Sequence, residues 1–258
     1  MKWLWVVLLL AGCVSTNRPA PPASGSGTQS QVGADVVNRA RVHTELGATY
    51  YSRRRYEIAL EELGDALKAY PDYGPAYNML GLVYMELKED QKATQNFEQA
   101  LRIDPKDPDA NNNYGWFLCQ RGQEKRALDY FMVAQQNPLY STPERSFVNA
   151  GICARRIKED KAAELYFRQA LALQPRQGQA LYQLAEISFE QAKYEEARSF
   201  LTRHMQVVAS PGPESLWLGV RVENRLGDRD SEASYAAQLH RRFPESKESK
   251  MLMSGERR

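Results

Sequence analysis

The chain has little cysteine and little histidine, three of each in 258 residues. That scarcity excludes a disulfide-built scaffold and leaves no cluster with the spacing of a protein-held zinc site. It also lacks an excess of one charge. Lys plus Arg number 34 and Asp plus Glu 32, a formal charge of +2, which argues against the broad basic field of a dedicated nucleic-acid binder. No apolar run after residue 10 is long enough to span a bilayer. There is no Gly-x-x-x-x-Gly-Lys phosphate loop and no Gly-x-Ser-x-Gly elbow. His43, His204 and His240 stand far apart in an extended body, and Glu61-Glu62 and Glu195-Glu196 read as solvated charge, not acid–base pairs. The expectation is a protein that is no enzyme, takes no cofactor or metal, and binds neither nucleic acid nor a small-molecule substrate.

The first residues differ from the rest. Met1-Lys2 is positive, Trp3 to Leu10 is unbroken apolar sequence, and Ala11-Gly12-Cys13 follows. Such a run is too short for a transmembrane helix, which needs about 20 residues, and suits a signal-peptide core over residues 1–12. Leu10-Ala11-Gly12-Cys13 resembles the bacterial lipoprotein processing box. The resemblance implies cleavage between Gly12 and Cys13 and acylation of Cys13, each buried CH₂ then contributing about 0.8 kcal/mol to membrane attachment. Val14 stands where an inner-membrane retention signal carries Asp, which implies the outer membrane, on the face toward the periplasm. A conventional signal peptide, or an apolar first helix with an incidental cysteine, is the plainer reading. Residues 13–34, rich in Pro, Ser and Gly around Pro19–Gly27, read as a flexible linker, the twenty residues from Val14 to Gly33 reaching about 65 Å at most.

From Ala34 onward the pattern is helical and periodic. Gly47, Gly81, Gly115 and Gly151 recur every 34 or 36 residues. So do Ala59, Ala93, Ala127, Ala163, Ala197 and Ala233, and so do Leu63, Phe97, Phe131, Phe167 and Leu201. Prolines follow at Pro71, Pro105, Pro138, Pro175 and Pro244. This sequence resembles the tetratricopeptide family, and most closely in its second unit: Tyr77, Leu80, Gly81, Tyr84, Ala93, Phe97, Ala100, Pro105. The resemblance implies an all-α superhelix of six helix-turn-helix units, about 12–13 helices in all, over residues 35–247. The units fall at about 40–73, 74–107, 108–143, 144–177, 178–213 and 214–247. The last two are weaker. His204 and His240 occupy positions where earlier units place alanine, and Arg221 one where they place glycine. Residues 248–258 read as a disordered polar tail.

The family's groove positions map to Asn78, Met79, Leu82, Met85 and Glu86 in the second unit. In the third they are Asn112, Asn113, Trp116, Cys119 and Gln120, and in the fourth Val148, Asn149, Ile152, Arg155 and Arg156. Amides, apolar side chains and two arginines suit a peptide-binding face, with Asn78, Asn112 and Asn149 offered to a partner's backbone. Trp116 packed within the fold and asparagines facing water is the alternative. Cys119 and Cys153, 34 residues apart in equivalent helices, are brought near each other by the period. In an exported protein a disulfide is expected there if the Cα atoms lie within about 7 Å; two reduced, partly buried cysteines are the other state. Arg53-Arg54-Arg55, Arg155-Arg156 and Arg241-Arg242 read as solvated charge, with phosphate or membrane-surface contact left open.

The whole arrangement, a lipoprotein box, a Pro/Ser linker and six repeats, resembles the pilotin lipoproteins of type IV pilus systems. That resemblance implies a partner, the secretin subunit of the pilus system. It also implies a role in localising and multimerising that secretin at the outer membrane, to which a lipid anchor at Cys13 holds the protein. The alternative is a repeat lipoprotein beside the outer-membrane β-barrel assembly machinery, or a regulator of a cell-wall synthase.

Overall fold

The computed structural model describes residues 26–255, with side chains from residue 33 onward. Gly12 and Cys13 lie outside these residues. Thirteen helices account for every regular element among them. They are α1 (Ser26–Ser52), α2 (Tyr56–Ala69), α3 (Gly74–Glu86), α4 (Asp90–Ile103), α5 (Pro108–Gln120), α6 (Glu124–Gln136) and α7 (Pro143–Arg156). The others are α8 (Asp160–Leu173), α9 (Gly178–Glu190), α10 (Tyr194–Val207), α11 (Pro213–Leu226), α12 (Arg229–Arg242) and α13 (Lys247–Met253). The fold is an all-α tetratricopeptide superhelix.

The helices pair as α1/α2, α3/α4 and so on to α11/α12, and each pair packs on the next. Small residues decide how closely a pair approaches. A Cβ added at Gly81 would lie 2.6 Å from the Phe97 ring, and one at Gly151 the same distance from Phe167. Phe97, Phe131 and Phe167 are completely buried, as are Ala59, Ala93, Ala127, Ala163 and Ala197. Burying one such aromatic ring stabilises by about 3 kcal/mol, but a ring shared between two pairs needs both of them. The units therefore fold as a stack.

Two local devices set the period. Inside each pair the turn places one residue in the left-handed region: Arg54, Lys88, Gly122, Lys158, Ala192 and Gly227. The residue after it donates its backbone N–H five residues back, as Glu89 does to Tyr84 and Lys193 to Ser188, closing the first helix. Between pairs, α2, α4, α6, α8 and α12 each end two residues before a proline. The intervening residue is pushed out of helical geometry, with Asp104 at φ −133° and ψ 98°.

First helices touch across units, α1 with α3, α3 with α5, α5 with α7 and α9 with α11, while second helices make no comparable contact among the described residues. The first helices therefore form the inner, concave side.

Three expectations need correction. The sixth unit is registered two residues earlier than the alanine ladder suggested. Gly219, not Arg221, is its close-approach glycine, since a Cβ there would meet the Tyr235 ring at 2.8 Å. Ala233 is consequently exposed, and the position equivalent to the small alanine of earlier units falls on Gln238, not His240. The polar tail is not all disordered. Residues 247–253 form α13, which packs on α11 and α12 and lays Met251 and Leu252 over the last apolar cluster of Leu216, Trp217, Val220 and Leu239. A solenoid end needs such a cover because no further unit buries it. Helix α1 begins at Ser26, inside the stretch read as linker, and at 27 residues is about 40 Å long.

Candidate functional site

The concave side carries a cleft of about 410 Å³ across α3, α5 and α7. Its floor is apolar, from Leu82 and Met85 on α3, Trp116 on α5 and Val148 on α7. Met85 and Val148 are buried, whereas Leu82 and Trp116 are half-buried and present one face to solvent. Trp116 and Leu82 rest on the core formed by Phe97, Tyr114, Phe117 and Phe131, so the floor is backed by rigid packing. Asn112, Asn113 and Asn149 line the cleft above that floor.

The asparagines are engaged with one another. Asn149 Nδ2 donates to Asn112 Oδ1 at 3.0 Å, Asn112 Nδ2 to Asn113 Oδ1 at 3.3 Å, and Asn113 Nδ2 to Asn78 Oδ1 at 3.1 Å. Asn78 and Asn112 are 7% and 1% exposed, too enclosed to reach a partner's backbone directly. Their part is to fix Asn113 and Asn149, which are half-buried at the cleft. Behind this wall Cys119 and Cys153 are joined by a disulfide, with Cα atoms 5.8 Å apart, linking α5 to α7.

Other residues from the sequence reading lie elsewhere. Met79 packs with the first core cluster and Ile152 with the cluster of units four to six. Gln120 is exposed at the end of α5. Arg156 Nη1 donates to the Cys119 carbonyl at 2.7 Å, bracing the disulfide region. Arg155 is held by Glu190, through Nη2 to both carboxylate oxygens at 2.7 and 2.8 Å. Glu86, named from the sequence, also lines the cleft, and Tyr51, Arg145 and Gln177, which were not singled out from it, complete it. Tyr51 was within reach of the period, lying 34 residues before Met85. Burial, then the Glu86 and Tyr56 charges, push its hydroxyl pKa up to about 12, so it stays a neutral hydrogen-bonding group.

Beyond Arg155 the concave side becomes ionic. Tyr182 Oη donates to Glu186 at 2.8 Å, and burial lifts the Glu186 carboxyl above the usual carboxylate range despite Tyr182 and Arg155. The Arg221 guanidinium lies 4.2 Å from the Phe189 ring centre. The three histidines occur singly. His43 bonds Glu62, His204 lies between the Gly178 carbonyl and Ser215, and His240 lies 3.4 Å from Ser249. No group of three or more His, Cys, Asp or Glu among the described residues could hold a metal ion. Apolar floor, fixed amides and ionic flank make a surface suited to holding an extended or helical segment of another protein.

Comparison with known proteins agrees with this architecture. A tetratricopeptide repeat family model matches residues 44–108 and 160–211, and a second tetratricopeptide repeat model matches 96–129. The chain is 29% identical over 239 residues to the type IV pilus assembly protein PilF of Pseudomonas aeruginosa, covering 93% of this chain and 91% of that protein. The crystal structure of PilW, described as a widely conserved type IV pilus biogenesis factor, is similar with a TM-score of 0.75 and 32% identity, over 83% of this chain and 98% of that one. The structure of Pseudomonas aeruginosa PilF is similar with a TM-score of 0.81 and 28% identity, over 86% and 99%.

Proposed function

The chain belongs to the tetratricopeptide repeat family, as a type IV pilus biogenesis protein of the PilF/PilW type, and on that premise we propose that it is the outer-membrane pilotin of its pilus system. In this reading acylated Cys13 tethers the repeat body to the outer membrane, facing the periplasm. The concave cleft holds a segment of the secretin subunit, and attachment brings subunits together where they multimerise. The observation that carries the reading is the extent of the likeness. It runs over 93% of this chain and 91% of PilF, and so includes the order of the units as well as the generic repeat.

The chemistry of the cleft supports a binding role. Leu82, Met85 and Trp116 offer apolar contact already backed by a packed core. The asparagine line holds polar groups in fixed positions, so little ordering remains to oppose association. The role involves no covalent step.

Two variants test it separately. Cys13→Ala should leave the fold and secretin capture intact, while secretin stays unassembled or in the wrong membrane and pilus-driven motility is lost. Trp116→Ala should remain anchored yet lose secretin capture. Secretin multimers at the outer membrane in the Cys13→Ala strain would overturn the anchored mechanism.

A further inference from the structure

All six turns inside the units lie on one long edge of the solenoid, because stacked first helices run in the same direction and end there. Charge is uneven along that edge. The α1–α2 turn carries Arg53, Arg54 and Arg55 against Glu57. The α5–α6 turn and the start of α6 carry Arg121, Lys125 and Arg126 against Glu124, and the α7–α8 turn carries four cations over residues 155–161 against Glu159 and Asp160. The opposite edge is acidic in its first two loops, with Asp72 in one and Asp104, Asp107 and Asp109 against Arg102 and Lys106 in the next. On the turn edge itself the cationic excess is confined to these three turns: the α3–α4 turn balances Lys88 and Lys92 with Glu89 and Asp90, and the α9–α10 turn is acidic, with Glu190, Glu195 and Glu196 against Lys193.

Arg53, Arg54, Arg55, Lys125, Lys158 and Lys161 are exposed and form no ion pair among the described residues. Other charges on the edge are paired, such as Arg121 with Asp90 at 2.6 Å and Lys92 with Glu89 at 2.6 Å. Lys125 and Lys161 stand in the first turns of α6 and α8, where the helix dipole favours anions. Folding supplies no reason for cations there, and each works slightly against its own helix.

We infer that this basic edge is an electrostatic rim for an acidic protein segment, the flank of the segment that occupies the cleft. The inference rests on the cleft being the partner surface. Met85 and Trp116 sit near the C-terminal ends of α3 and α5, so a chain leaving the cleft on that side crosses the rim. Adjacent first helices pack about 10 Å apart, close to the screening length of about 8 Å at physiological salt. The α5–α6 and α7–α8 turns are neighbours at that spacing and act on an approaching segment together, while a dozen extended residues, about 40 Å, also reach the α1–α2 turn across the α3–α4 turn between them.

An anionic membrane is the competing occupant, and α1 argues against it. The rim lies at the C-terminal end of this helix of about 40 Å, whereas the chain toward Cys13 leaves from Ser26 at the other end. Residues 13–26 span roughly 45 Å at full extension, so an acylated Cys13 could bring the rim to a bilayer only with that stretch pulled straight. Membrane-surface binding also draws on apolar area. Leu87 is the one large exposed apolar side chain at these turns among the described residues.

The test uses the full-length protein in detergent micelles and a fluorescent twelve-residue peptide of alternating Glu and Ser, read by anisotropy. Binding should weaken roughly tenfold or more between 50 and 300 mM salt. It should vanish in an Arg53→Glu/Arg55→Glu/Lys125→Glu/Lys161→Glu variant whose melting temperature is equal or higher. An Asp72→Asn/Asp109→Asn variant should bind within about twofold of the parent, its rim being untouched. No peptide binding at 50 mM salt, equal binding by the four-charge variant, or tighter binding to phosphatidylglycerol vesicles than to the peptide would each overturn the inference. No secretin enters this measurement, so its failure is distinct from failure of the pilotin reading.

Discussion

Asn149 Nδ2 donates a hydrogen bond of 3.0 Å to Asn112 Oδ1, joining α7 to α5 at the wall of the concave cleft. Asn112 is also bonded to Asn113 and is only 1% exposed, so it is the enclosed centre of a polar line through three units. Asn112→Ala should therefore destabilise by about 1–3 kcal/mol, because it removes both hydrogen bonds of an enclosed side chain and leaves a space in the packed wall. Asn149→Ala removes only one of those bonds and a half-exposed side chain, and should cost less, about 1 kcal/mol, most of it from the Asn112 oxygen left without its donor. Urea unfolding of the two variants distinguishes them; equal losses would mean the line is not centred on Asn112.

Two glycines on successive helices, α2 and α3, should respond to alanine with opposite sign. Gly64 lies within α2 and a Cβ there would meet nothing within 4 Å, so Gly64→Ala should stabilise by about 0.5–1 kcal/mol. Gly81→Ala drives a methyl to 2.6 Å from the Phe97 ring and should destabilise by about 1–3 kcal/mol. Thermal melts of both variants settle the comparison.

Ala192 and Gly122 occupy the same left-handed turn position, at φ 58° and 75°. Ala192→Gly should stabilise by about 1 kcal/mol, and Gly122→Ala should destabilise by a similar amount. Matching changes of the same sign in denaturant midpoint would rule out backbone strain as the cause.

The disulfide closes a segment of 34 residues. A Cys119→Ser/Cys153→Ser variant should lose roughly 2–4 kcal/mol, chiefly because the unfolded chain regains freedom. Adding reductant should lower the melting temperature of the parent and leave the variant unchanged.

Glu186 gives a pH signature. Its carboxyl pKa is raised in the fold, first by burial, so its favourable contribution is full below the ordinary value of 4.5 and is lost as pH rises through the raised one. Glu186→Gln should therefore be more stable than the parent at pH 7, with the difference shrinking to nothing as pH falls below 4.5. A difference that grows on acidification would show that Arg155 outweighs burial.

Much of the architecture was legible in the residues. Gly81 sixteen positions before Phe97, repeated at Gly115–Phe131 and Gly151–Phe167, specifies which helices touch and how closely, because contact between neighbours in sequence follows from helical geometry alone. The same sixteen-residue interval was available at Gly219 and Tyr235. It was masked by the alanines at 233 and 237, which fit the ladder by residue type although they face solvent. The candidate surface was legible as a set of positions. Its members' roles were not: the side chains of Asn78, Asn112, Arg155 and Arg156 are engaged by residues from neighbouring units.

What the sequence determined by itself was the helix pairs, their period and the all-α class, since these depend on spacing, turn residues and side-chain volume within about 34 residues. Only the tertiary structure decided which polar groups are engaged within the protein, that residues 247–253 close the solenoid end, and that scattered arginines and lysines gather on one edge. Those outcomes depend on residues many turns apart meeting across a stacked interface, and a hydrogen bond or ion pair exists only where both partners arrive.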